Sequence, residues 1–63
     1  QRRCLRVKDM VLEGQYLSAD NIEILRPAPK ESLAPTYLRF VYGKKTRRTI
    51  AAGDYLRMED LEA

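Results

Sequence analysis

The sequence has no histidine and a single cysteine, Cys4. A Cys/His zinc site is therefore excluded, and no disulfide can form within the chain. There is no glycine-rich phosphate loop, and no Ser/His or Cys/His pair from which a nucleophile could be activated. No apolar run reaches the roughly 20 residues of a membrane-spanning helix, and no signal peptide is visible. The initiator methionine is missing too: the chain opens "QRRCLRV" and reads as one domain, 1–63, excised from a longer protein. A lone cysteine suits a reducing compartment, so the expected location is cytoplasmic.

What remains is a small domain that must stand on packing. Sixty-three residues lie near the lower limit for folding without staples, with about 60% of the unfolded surface available for burial. The apolar share of 44% is ordinary and spread along the chain, which argues against disorder. Two basic stretches, Arg2–Arg3–Arg6–Lys8 and Lys44–Lys45–Arg47–Arg48, lie on either side of Tyr37, Phe40 and Tyr42 in sequence. A nucleic-acid surface would need a larger excess than +3, and acidic residues intersperse the chain. A solvated, mixed surface is the plainer reading, or one that attracts an anionic substrate. Cys4 sits in an apolar strand pattern and reads as a structural thiol, while Glu59, Asp60 and Glu62 read as a solvated last turn.

In "CLRVK", Leu5 and Val7 share one face and Arg6 and Lys8 the other, the period of a half-buried strand. Gly14 marks a turn of positive φ. Ser18 caps a short helical turn, although Asn21 stands where the Glu or Gln of a capping box belongs. "IEILRP" is a second strand, ended by Pro27, which also holds Arg26 extended. Pro35 opens a helix of about two turns closed by Gly43, with Leu38 or Tyr37 joining Val41 on its buried side.

One pattern stands out. "EGQYLSADNIE" at 13–23 is echoed thirty-nine positions later by "AGDYLRMEDLE". Gly14 matches Gly53, Tyr16 matches Tyr55, Leu17 matches Leu56 and Glu23 matches Glu62, while Ile22 faces Leu61. Two units too small for separate cores can bury their leucines against one another. The repeat thus predicts a pseudo-twofold core with Leu17, Leu56, Ile22 and Leu61 inside, and Gly14 and Gly53 as equivalent structural turns.

These residues resemble a known family. "RRCLRVKDMVLEGQYLSADNIEILRP", "SLAPTYL", "GKK" and "RRTIAAGDYLRMEDL", in this order, are similar to the SAF, or antifreeze-like, domain. That domain closes sialic acid and related nonulosonic acid synthases at the C-terminus, and also occurs as the type III antifreeze proteins of fish and within some sugar-acid dehydratases and pilus-assembly proteins. The resemblance implies a mostly β fold with short helical turns, a pretzel-like β-clip with internal pseudo-twofold symmetry.

It further implies a function for a parent enzyme. A preceding TIM barrel would condense phosphoenolpyruvate with an N-acyl amino sugar using a divalent metal, which the 1–63 segment itself does not hold. The parent would be a domain-swapped homodimer in which this domain lids the partner subunit's barrel. By its place in the "RP" pair, Arg26 would contact the amino sugar. No catalytic residue, metal site, nucleic acid or membrane is expected for the domain itself. The chain departs from the synthases in one loop, where "APKESLAP" puts Ser32 in place of the glycine of "GL-x-P". The resemblance therefore leaves the sugar open. A non-catalytic module binding carbohydrate or protein in another SAF-containing chain is the alternative. Ice binding is disfavoured, because Glu13, Asp20 and Glu23 charge the first copy of the repeat.

Overall fold

The computed structural model describes residues 2–62. Strand β1 (Cys4–Val7) pairs antiparallel with strand β2 (Ile22–Leu25), placing Leu5 opposite Ile24 and Val7 opposite Ile22. Leu5 and Val7 are buried and Lys8 is exposed, as period-two alternation predicts. Cys4 breaks that alternation. It is fully buried at the strand's start, where Sγ lies 3.4 Å from the Pro27 carbonyl oxygen. On β2 only Ile22 belongs to the core, whereas Ile24 and Leu25 are 40% and 42% exposed. Among the described residues β2 has a strand on one side only, so its far end leaves the core and carries the chain outward to Arg26.

The rest is built from short bridges and turns. Leu17 N–H donates to the Lys44 carbonyl at 2.9 Å and Gly14 N–H to that of Thr46 at 2.9 Å. Thirty-nine positions on, Leu56 N–H donates to the Leu5 carbonyl at 2.9 Å and Gly53 N–H to that of Val7 at 2.8 Å. Val11 and Ile50, separated by the same interval, exchange both of their backbone hydrogen bonds, at 2.9 and 2.8 Å. Each copy of the repeat is thus held by a segment from the other half of the chain. Gly14 and Gly53 have φ of 85° and 81°, and an added Cβ would meet nothing within 4 Å. The need for glycine is therefore one of backbone conformation and not of space.

One core forms between these layers, comprising Leu5, Val7, Val11, Leu17, Ile22, Leu33, Val41, Ile50, Leu56 and Leu61. The four residues that the repeat places inside are all there. A 3-10 turn (Pro35–Tyr37) runs into a single α-helical turn, α1 (Leu38–Val41), with Pro35 at its start and Gly43 beyond its end at φ 84°. Val41 is buried and Leu38 packs on the core, while Tyr37 is 45% exposed, so Leu38 is the partner of Val41. A second 3-10 turn (Met58–Asp60) closes the fold.

Two local expectations are corrected. Asn21 completes the turn it was expected to leave open, because its Oδ1 accepts the Ser18 N–H at 2.8 Å. Asp60 is not solvated: it is 2% exposed, and its carboxylate accepts the Arg57 N–H at 3.0 Å in the corresponding place of the second copy.

Candidate functional site

Arg26 follows β2 directly and is exposed. Its guanidinium takes part in no side-chain hydrogen bond or ion pair among the described residues. The backbone beneath it is held from behind. The Pro27 carbonyl accepts a hydrogen bond from Arg6 Nη2 at 2.7 Å and a weaker one from Cys4 Sγ at 3.4 Å. Arg6 Nη1 also donates to the Gly53 carbonyl at 2.8 Å, and its guanidinium lies 5.8 Å from the centre of the Tyr55 ring. Arg6 therefore ties the "RP" pair to the glycine turn of the second copy. Alternation along β1 pointed to a solvated Arg6. Its half-burial follows from the Tyr55 ring and two carbonyls converging on that face.

Beyond Pro27 the loop is shaped by its own hydroxyl. Ser32 Oγ donates to the Pro29 carbonyl at 2.6 Å, and the Ser32 N–H reaches the same oxygen at 3.0 Å. Buried Leu33 then anchors the loop, donating its N–H to Leu56 and accepting that of Leu5. A cleft of about 240 Å³ lies along this loop, lined by Arg2, Arg3, Ala28, Pro29, Lys30, Ser32 and Ala34. Three cations and no carboxylate line it. Arg26 is not among its lining residues, so the predicted contact residue and the cleft adjoin along the chain without sharing a wall. Gly53 joins the Arg26 region through Arg6, whereas Gly14 lies apart and bonds to Thr46.

The second basic stretch is partly neutralised. Arg48 Nε and Nη2 reach the two Asp60 oxygens at 2.7 and 3.2 Å, and Arg57 Nη2 lies 3.4 Å from Oδ1. Burial works to raise the Asp60 pKa. The Arg48 hydrogen bond, the Arg57 N–H and the charges of both guanidiniums outweigh it and hold the carboxyl below its ordinary range. The same bond to Asp60 raises Arg48. Among the described residues no group of three or more His, Cys, Asp or Glu could hold a metal, and no helix is long and apolar enough to cross a membrane.

The chain belongs to the SAF domain family, whose sequence model matches residues 2–62. The fold is similar to part of a protein described as spore coat polysaccharide biosynthesis protein E, from Chromobacterium violaceum, with a TM-score of 0.85 and 26% sequence identity. That match covers 98% of this chain and 18% of the other, so the chain spans less than a fifth of its neighbour's length. No curated protein sequence matches.

Proposed function

We propose that this SAF domain caps the substrate site of a phosphoenolpyruvate-condensing sugar-acid synthase in polysaccharide biosynthesis, and that Arg26 is its contact with an N-acyl amino sugar. The observation that carries the reading is Arg26 itself: an exposed guanidinium without an internal partner among the described residues, on backbone clasped by Arg6 and Cys4. Membership of the SAF family and the likeness to a polysaccharide biosynthesis protein support it. A planar fork of N–H donors suits an acyl oxygen presented in one orientation. The condensation, its divalent metal and the TIM barrel of the partner subunit in a homodimer belong to the parent enzyme. No residue of this domain takes a chemical step.

The test is kinetic. Losing a charge-assisted hydrogen bond costs about 1.5–3 kcal/mol, or on the order of 10- to 150-fold. Arg26→Ala in the parent enzyme is expected to lower kcat/KM for the amino sugar by that order and to leave KM for phosphoenolpyruvate nearly unchanged. Arg26→Lys recovers part of the loss. Unchanged sugar kinetics in a folded Arg26→Ala enzyme would overturn the proposal.

A further inference from the structure

A second cleft, of about 290 Å³, lies between the first copy of the repeat and the Gly43 turn, lined by Tyr16, Gly43, Lys44, Lys45 and Glu62. Backbone pairing builds it. Tyr16 bridges Lys45, with Gly43 N–H bonded to the Leu17 carbonyl at 2.8 Å and Thr46 N–H to that of Gln15 at 3.1 Å. The Lys45 ammonium sits 5.2 Å from the centre of the Tyr16 ring, and that of Lys44 sits 4.6 Å from Phe40. Neither lysine takes part in an ion pair or side-chain hydrogen bond among the described residues.

Thirty-nine positions away from Tyr16 and Lys45 stand Tyr55 and Arg6, which form a bridge and a cation–π pair in the same way. There the cation is spent, its two terminal nitrogens being committed to the Gly53 and Pro27 carbonyls. At Lys45 the corresponding cation keeps all its donors available, and Tyr16 is 61% exposed. Glu62 is the one carboxylate in the lining and leaves the cleft with a net positive charge.

We propose that this cleft binds an oxyanion, the carboxylate or phosphate carried by a sugar, with Lys44 and Lys45 as donors and Tyr16 as the surface for the ring. The site is independent of Arg26. Glu62 tunes it, opposing the anion and limiting its affinity. Because the lysines are surface groups, each contributes modestly, and the binding fades with salt.

The experiment is an amide chemical-shift titration of the chain with glucuronate, glucose 6-phosphate and glucose, at constant ionic strength. Glucuronate and glucose 6-phosphate are expected to shift the Tyr16, Gly43, Lys44, Lys45 and Glu62 amides saturably, and glucose to leave them in place. Lys44→Gln and Lys45→Gln each weaken binding about two- to fivefold, Glu62→Gln tightens it by a similar factor, and Lys8→Gln, an exposed lysine outside the cleft, changes nothing. If the acidic sugars shift these amides no more than sodium chloride does, the site does not exist. The proposal is equally overturned if Glu62→Gln and the lysine variants titrate like the parent chain. A loss of binding on Arg26→Ala but not on the lysine variants would place the anion at Arg26 and overturn the proposal.

Discussion

Arg6 and Pro27 are joined by a 2.7 Å hydrogen bond from guanidinium to carbonyl, across twenty-one positions of sequence. The other arm of the same guanidinium holds Gly53, so one side chain ties the segment after β2 to the second copy of the repeat. Arg6→Met keeps the stem against Tyr55 and removes both bonds. It is expected to destabilise the domain by about 1–3 kcal/mol, as measured by urea denaturation. Arg6→Lys should recover less than half of that, since an ammonium cannot present two parallel donors. A midpoint for Arg6→Met equal to the parent's would show that the clasp holds nothing.

The buried carboxylate gives the domain an acid limb. Asp60 titrates lower in the folded chain than in the unfolded chain, whose carboxyls protonate near pH 3.9. On acidification the unfolded state therefore takes up this proton first. The stabilisation from Asp60 is complete above that value and is lost as pH falls through the lower folded value. Asp60→Asn is expected to cost about 1–3 kcal/mol at pH 7, and the gap to the parent should close progressively as pH falls below about 4. A gap that stays constant over that range would remove Asp60 from the acid response.

Leu17 and Leu56 occupy matching places in the repeat and are 1% and 0% exposed. Leu17→Ala and Leu56→Ala should each destabilise by about 2–5 kcal/mol. That is a large share of the stability open to so small a domain. Denaturation of the two variants side by side tests the shared core. Parent-like melting of both would exclude it.

Much of the frame was legible because it is written in local signals. Alternation located β1, "IEILRP" located β2, and the glycines located turns of positive φ, while the repeat named Leu17, Leu56, Ile22 and Leu61 as core. Asp60, Arg48 and Arg6 were not legible, since a charged residue in a charged stretch reads as solvated until its partner is known. Asp60 bonds to Arg57 three positions before it, but the partners that bury these charges lie 12 to 47 positions away. Ile24 shows the converse limit: period two assigns a face to a side chain, but only the neighbouring layer determines whether that face is covered. Arg26 is a candidate contact on the strength of its motif alone. The cationic cleft of Arg2, Arg3 and Lys30 arises from the loop's return to the N-terminal segment, which no local pattern announces.

The reciprocal pairing of Val11 with Ile50, and of each repeat with the opposite half, also determines how the domain comes apart. Residues 14–17 lose their partners if 43–46 leave, and residues 53–56 lose theirs if β1 leaves. Neither half can open while the other stays closed, so partial opening gains little chain entropy for the bonds it breaks. The backbone amides of Leu17, Ile50 and Leu56 should then exchange with solvent together, through unfolding of the whole domain and not of a part. A domain with this construction moves as one rigid body.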